Sequence, residues 1–205
     1  VFERRVEPLK GEWSLIGSFV KPNENVNNAA RRVLKEITGL DNIFMEELKT
    51  YSEVERDPGA RCISIAQYAL IRIEEYDKAL VAKYGANWYE IDKLPHLVLD
   101  HNTMVKDALN RLREKARFYP IGFELLPKNF TIPHLQKLYE AIYDVEFDKR
   151  NFSRKLLATN LLIKTEEKQR GYSKKGAYYY SVDRKRYKSN QQENYSFLVK
   201  AESIT

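Results

Sequence analysis

A short basic segment in the last third of the chain carries side chains suited to contacting nucleotide bases. Arg150, Asn151 and Arg154 fall on one face of a predicted helix, whereas Phe152 and Leu156 fall on another. Arginine and asparagine can form paired hydrogen bonds with guanine and adenine edges in the major groove of DNA, each pair worth about 1–3 kcal/mol of discrimination. The pattern predicts a base-reading helix, and the predicted contacts on it are Lys149, Arg150, Asn151, Arg154 and Lys155.

The segment that follows this helix predicts a hairpin with a basic tip. A strand-like start at Leu162-Ile163 leads into the polar stretch KTEEKQRGYSKKG and then into a second strand-like run, AYYYSV. Basic side chains on such a wing do not read sequence by charge, but they neutralise DNA phosphates and so make binding depend on salt. The predicted phosphate contacts are Lys168, Arg170, Lys174 and Lys175, and a further basic cluster lies at 184–188.

Two predicted helices position these groups. Thr131 can cap a first helix whose apolar residues recur at helical spacing, and Asp148 can cap the second, base-reading helix. The short break between them is typical of a helix-turn-helix. The sequence therefore predicts a winged helix-turn-helix DNA-binding domain over 120–190, followed by a polar C-terminal tail over 191–205.

The distribution of charge supports this division. The 205 residues include 35 Lys and Arg and 29 Asp and Glu, a net charge of +6. Up to Tyr119 there are 19 basic and 19 acidic residues, so the excess of basic residues lies entirely in the remainder, as expected of a nucleic-acid-binding part. With one cysteine, three scattered histidines and no apolar run of membrane-spanning length, we expect no disulfide, no metal, no cofactor and a reducing, cytoplasmic location.

The first 119 residues are predicted to form a separate α/β domain. An alternating segment at 12–20 predicts a strand that enters a loop, and a helix is predicted at 26–38, ended by Gly39. Two strands are predicted at 43–51 and 62–73, separated by a turn at Asp57-Pro58-Gly59, and a packed amphipathic helix at 102–117. The break at 118–122 is the predicted domain boundary.

The loop and helix at 18–40 resemble the Nudix box, G-x5-E-x7-R-E-U-x-E-E-x-G-U, in which U is a bulky aliphatic residue. The positions that match at the required spacing are Glu24, Arg32, Leu34, Glu36, Gly39 and Leu40. In that box, carboxylates at i, i+3 and i+4 of the helix hold a divalent cation against a diphosphate. Here those positions are Val33, Glu36 and Ile37, and Ser18 replaces the first glycine. The resemblance therefore implies a Nudix domain that is catalytically inactive, with Glu36 as the one residual metal-binding position.

The resemblance extends over nearly the whole chain. The segments WSLIG, RDP and WYEIDKLPHLVLDH resemble the Nudix domain of the Nudix-related transcription regulators, and NFSRKLL and SKKGAYYY resemble their recognition helix and wing. The family implies an α+β protein, a Nudix α/β/α sandwich with a mixed sheet followed by a winged helix. It also implies sensing of a small-molecule effector: L-arabinose is the first expectation, and ADP-ribose-type nucleotides are the other. Since a Nudix sheet usually begins well before the equivalent of Val1, we expect an N-terminal strand to be missing from this sequence.

The candidate effector-binding residues each have a structural alternative. Arg56 and Arg61 could bind a phosphate or a sugar hydroxyl, but with Asp57 they could equally form a charged turn. Trp13 could stack on a ring, although tryptophan among alternating apolar residues more often packs in the core. For Glu24, Arg32 and Glu36 we favour salt bridges that pin the loop to the helix. The predicted partners are double-stranded operator DNA, a small-molecule effector and a second copy of the chain in a homodimer, with no membrane.

Two other interpretations remain open at this point. The first is a Nudix pyrophosphohydrolase that draws carboxylates from outside the box, such as Glu53, Glu55 or Asp100. The second is a basic protein that binds nucleic acid without sequence preference.

Overall fold

The structure is a computed structural model that describes residues 1–41, 43, 45–71, 82, 85–118, 121, 126–169 and 176–190. Its contacts divide the chain into two compact units, Val1–Ala108 and Leu109–Thr205. The division falls inside a long helix rather than at the predicted boundary after residue 119, because Leu112 and Ala116 of that helix pack into the core of the second unit. Among the described residues, no helix is long and apolar enough to cross a membrane.

In the described residues of the first unit, we observe two antiparallel strand pairs and two α-helices of several turns. Strand β1 (Phe2–Glu3) pairs with β2 (Trp13–Ser14), and β3 (Glu46–Tyr51) pairs with β4 (Ser64–Tyr68). Helix α1 covers Val26–Thr38, a short 3-10 turn covers Ile91–Lys93, and α2 covers His101–Phe118. A parallel bridge joins Trp13 to Leu97.

Strand β2 is much shorter than the strand predicted at 12–20. The backbone N–H of Leu15 donates a hydrogen bond to His101 Nδ1 at 3.1 Å instead of continuing a strand ladder. The chain then enters the loop that precedes α1. The two strands predicted at 43–51 and 62–73 are present, although each is shorter than expected.

The bounds predicted for α1 are confirmed. Asn25 caps the first turn by accepting a 2.9 Å hydrogen bond from Asn28 N–H, and Gly39, at φ 74°, ends the helix in the left-handed conformation. Leu34 and Ile37 pack against a small core that includes Leu40. The helix is thereby fixed to the unit by its apolar face.

The second unit is a winged helix-turn-helix, as predicted. Strand β5 (Phe130–Thr131), helix α3 (Ile132–Tyr143) and helix α4 (Lys149–Ala158) precede the wing strands β6 (Leu162–Gln169) and β7 (Ala177–Val182). The three strands form one antiparallel sheet in the order β5-β7-β6. The buried side chains of its core include Phe130, Leu135, Tyr139, Phe152 and Leu156.

Two details of this unit differ from the sequence prediction. Thr131 precedes α3, but its hydroxyl is buried without a hydrogen-bond partner and makes no cap bond. A further helix, α5 (Arg184–Asn190), was not predicted, and Asp183 Oδ1 accepts hydrogen bonds from the N–H groups of Lys185 and Arg186 at its start. The predicted tail, 191–205, lies outside the described residues.

Candidate nucleic-acid interface and effector site

Helix α4 presents a polar and basic face to solvent. Its apolar side is fixed in the core, where Phe152 is 4% and Leu156 is 1% exposed. Lys149, Arg150, Asn151 and Arg154 are exposed, and Lys155 is half-buried. The predicted base-reading side chains therefore lie together on the solvent side of one helix, as the spacing requires.

The turn between α3 and α4 is held by buried polar contacts. Gln136 Nε2 donates to Glu140 Oε1 at 2.8 Å and to the Phe147 carbonyl at 2.9 Å. Glu140 Oε1 also accepts the Phe147 N–H at 3.0 Å, and this bond, with the one from Gln136, lowers the pKa of the Glu140 carboxyl. The start of α4 follows at once, with Asp148 Oδ1 accepting the Asn151 N–H at 2.8 Å. These contacts fix the direction in which α4 leaves the turn.

Two side chains on the exposed face of α4 are bonded to each other. Arg154 Nη2 donates to Asn151 Oδ1 at 3.0 Å. Arginine has donors only, so the acceptor must be the amide oxygen and the amide nitrogen is left as the outward donor. One of the two lone pairs of the Asn151 oxygen is therefore used by Arg154.

The wing carries a second basic cluster. The Nζ atoms of Lys164 and Lys168 lie 3.5 and 4.4 Å from the centre of the Tyr178 ring. The two ammonium groups, beginning with that of Lys168, lower the pKa of the Tyr178 hydroxyl. Lys168 was predicted from sequence, whereas Lys164 and Tyr178 were missed, although their places on the paired strands β6 and β7 were a usable signal. The other predicted wing residues, Arg170, Lys174 and Lys175, lie outside the described residues.

In the first unit, Glu24 and Arg32 pin the loop at 18–25 to α1. Arg32 Nη2 donates to Glu24 Oε1 at 2.6 Å and to the Phe19 carbonyl at 3.0 Å, and Glu24 Oε1 also accepts the Lys21 N–H at 2.9 Å. The hydrogen bonds from Arg32 and from the Lys21 backbone lower the pKa of the Glu24 carboxyl to about 2. The structural interpretation of this pair agrees with these contacts.

The positions that hold metal in a Nudix box have other roles here. Val33 is buried, Ile37 packs against the core, and the half-exposed Glu36 accepts a hydrogen bond from Arg32 Nη1 at 3.0 Å. Within the part of the chain that the structure describes, no group of three metal-ligating side chains occurs. One exposed carboxylate does not fit a Mg²⁺ ion, which needs several oxygen ligands around it.

Arg56 is buried in an ion pair with Asp100. Its Nη2 and Nε donate to the two carboxylate oxygens at 2.7 and 2.9 Å, and its Nη1 donates to Ser64 Oγ at 2.8 Å. The side chain is only 3% exposed. Asp57 Oδ1 accepts the Gly59 N–H at 2.8 Å, the arrangement of a tight turn. The structure thus places Arg56 and Asp57 in a turn between β3 and β4 that these hydrogen bonds stabilise.

The remaining predicted effector residues are more accessible. Arg61 is exposed and donates to two backbone carbonyls, those of Cys62 and Glu53, at 3.2 and 3.4 Å. Trp13 is half-buried and makes an edge-to-face contact with Tyr89, with ring centres 5.6 Å apart. His101 lies beside this region, where its Nδ1 accepts the Leu15 N–H and burial lowers the pKa of its imidazole. His101 is thus a partly buried residue at the start of α2 that bonds to the backbone after β2.

Comparisons with known proteins agree with this geometry. Residues 122–182 match the family of NrtR DNA-binding winged helix domains. The chain is 28% identical over 171 residues to the "ADPR responsive transcriptional repressor NtrR" of Acinetobacter baylyi, covering 82% of this chain and 68% of that protein. It is 36% identical over 109 residues to the "ADP-ribose pyrophosphatase" of Methanocaldococcus jannaschii, covering 53% of this chain and 64% of that protein. The crystal structure of Shewanella oneidensis NrtR with a 27mer DNA superposes with a TM-score of 0.75 at 24% identity, covering 91% of this chain and 87% of that one.

The chain thus has the fold of Shewanella oneidensis NrtR, a Nudix domain with a winged helix domain. Its residues 122–182 form a winged helix domain of the NrtR DNA-binding type, and the chain as a whole is similar to NrtR-like regulators.

Proposed function

We propose that this protein is a transcriptional repressor that binds operator DNA as a homodimer. Its affinity for the operator changes when an ADP-ribose-type nucleotide binds in its Nudix domain. The observation that carries the proposal is the pairing of an exposed base-reading helix with a Nudix helix in which aliphatic side chains replace two metal-binding carboxylates. The effector is sensed by this domain and is not hydrolysed.

DNA recognition rests on two surfaces of the second unit. Arg150 and Arg154 on α4 supply side chains that can pair with base edges, and Lys164 and Lys168 on the wing supply charge for phosphates. In a homodimer, the two copies of α4 would meet two half-sites of a palindromic operator.

The nature of the effector is supported by the relatives. The repressor from Acinetobacter baylyi is described as responsive to ADP-ribose, and the matched archaeal protein is described as acting on ADP-ribose. An ADP-ribose-type effector therefore replaces L-arabinose, the first expectation, for which the comparisons give no support. Arg61 and Trp13 are the predicted contacts that remain accessible, one for a phosphate and one for a ring.

The start of α2 has two polar anchors in the first unit that an effector could act on. Asp100, just before the helix, pairs with Arg56, and Asp107 accepts a 2.8 Å hydrogen bond from the Tyr51 hydroxyl. An effector that favours one arrangement of these anchors over another would shift DNA affinity by that difference in binding free energy.

A thermal-unfolding screen tests the sensing role. The full chain is heated with ADP-ribose or L-arabinose, each with and without Mg²⁺, since a ligand at a hundred times its Kd adds about 2.7 kcal/mol of stability to the native state. The proposal predicts a raised midpoint with ADP-ribose that does not need Mg²⁺, and ADP-ribose recovered intact. A shift with L-arabinose alone contradicts the proposed effector.

The same samples test the pyrophosphohydrolase alternative. Release of nucleotide or phosphate from ADP-ribose that requires Mg²⁺ and is lost in Glu36→Gln would show an enzyme instead of a sensor. The matched control is Glu166→Gln, which changes an exposed carboxylate on β6, in the second unit.

A further inference from the structure

We infer that Asn151 is a positioning residue that holds Arg154 for a guanine. The inference rests on the proposed function, since it assigns roles within the DNA-binding surface. It differs from the sequence prediction, in which Asn151 and Arg154 were two independent base readers.

The hydrogen-bond chemistry of the two side chains carries the argument. Asparagine reads adenine by offering its amide nitrogen to N7 and its amide oxygen to the N6 amino group. In this structure the oxygen already accepts a hydrogen bond from Arg154 Nη2 at 3.0 Å. This bond uses one of the two lone pairs of the Asn151 oxygen and ties the orientation of the amide to that of the Arg154 guanidinium.

The same bond leaves Arg154 competent for guanine. It occupies one of the five N–H donors of the guanidinium, so enough remain for the two parallel bonds to guanine O6 and N7. Because Arg154 and Asn151 are separated by three positions on α4, their side chains are neighbours on one turn. The bond restricts the guanidinium before DNA arrives and so lowers the entropy lost on binding.

The backbone of Asn151 is held in place by the N-terminal cap of α4. Its backbone N–H donates to Asp148 Oδ1 at 2.8 Å, within the N-terminal cap of α4. By contrast, Arg150 is exposed on the same face and has no hydrogen bond or ion pair in the described part of the chain. The helix therefore presents one oriented arginine and one free arginine.

The test uses base analogues in a duplex selected by the full-length protein from a random-sequence pool. Each guanine is replaced in turn by 7-deazaguanine, which lacks the N7 acceptor, and each adenine by 7-deazaadenine. The quantity measured is the Kd for the duplex with the analogue divided by the Kd for the natural duplex. A substitution in the protein that weakens binding to both duplexes equally leaves this ratio unchanged.

The wild-type protein is expected to lose about tenfold in affinity at one guanine, equivalent to about 1.4 kcal/mol. Arg154→Ala should make that position insensitive to the analogue. Asn151→Ala should reduce the Kd ratio at this guanine severalfold. Asn151→Asp, which keeps an acceptor oxygen, should restore the ratio even if overall affinity falls. The control Lys128→Ala, at an exposed site before β5, should leave the ratio at this guanine unchanged.

Two outcomes overturn the inference. One is an adenine at which 7-deazaadenine weakens binding of the wild-type protein but not of Asn151→Ala, while the Kd ratio at the guanine is kept. Asn151 would then be the residue that reads adenine. The other is a guanine ratio that Asn151→Ala leaves unchanged. Failure to select any preferred duplex would instead overturn the proposed DNA-binding function, and the inference with it.

Discussion

Arg56 and Asp100 form a two-bond ion pair that ties the turn after β3 to the start of α2. The distances are 2.7 and 2.9 Å, and the arginine side chain is almost completely buried. The paired carboxylate raises the pKa of the Arg56 guanidinium. Removing either partner would leave a charge in the protein without compensation.

Arg56→Ala should therefore lower the free energy of unfolding by about 2–4 kcal/mol. Urea denaturation with an unchanged m-value measures the loss. The matched control is Arg61→Ala, which removes an exposed arginine five residues away and should change stability by no more than about 0.5 kcal/mol. Equal effects of the two substitutions would show that the Arg56 pair has no structural role.

His101 should make stability depend on pH near neutrality. Burial lowers the pKa of its imidazole below the ordinary value of 6.5, so the unfolded chain takes up a proton at a higher pH than the folded one. The contribution of neutral His101 is present above about pH 6.5 and is lost as pH falls toward the folded-state pKa. Thermal unfolding midpoints measured between pH 7.5 and 5 should fall more steeply for the wild type than for His101→Asn. Parallel curves for the two proteins would contradict this role.

Replacing Thr131 by valine should stabilise the second unit. The Thr131 hydroxyl is buried without a hydrogen-bond partner, and valine has nearly the same shape without the polar atom. We expect a gain of up to about 1 kcal/mol in the free energy of unfolding. Thr131→Ala, which removes the methyl group as well, should destabilise, so opposite signs for the two variants distinguish an unpaired hydroxyl from a helix cap.

The wing lysines should contribute to the salt dependence of DNA binding. A lysine that neutralises one phosphate contributes about 0.9 to the slope of log K against log salt concentration. Lys164→Ala and Lys168→Ala should each make the slope shallower by about that amount. Lys128→Ala, at an exposed site before β5, is the control and should leave the slope as it is. Unchanged slopes for both wing variants would show that these two lysines do not contact DNA phosphates.

Features encoded by neighbouring residues were predictable from the sequence. The ends of α1 follow from Gly39 and from helical spacing, and α4 follows from Asp148 and from the separation of Phe152 and Leu156 from the basic face. The loss of two metal-binding carboxylates from the Nudix-like helix is visible in the sequence because Val33 and Ile37 are substitutions in a fixed pattern.

Features that depend on distant contacts were not predictable. The Arg56 pair joins residues 44 positions apart, and strand β2 ends early because its backbone bonds to His101, 86 positions away from Leu15. The missing cap at Thr131 also depends on side-chain orientation, which spacing does not determine. No sequence pattern distinguishes an arginine that is available to bind a ligand from one that already forms an ion pair within the protein.

The most direct test of the central claim is the affinity of the full-length protein for a selected DNA duplex, measured with and without ADP-ribose in the absence of added Mg²⁺. The account predicts that saturating ADP-ribose changes the Kd for DNA by at least about fivefold, the lower end of ordinary allosteric coupling, while the nucleotide stays intact. An unchanged Kd at saturating ADP-ribose would contradict the claim that the Nudix domain controls DNA binding through this nucleotide.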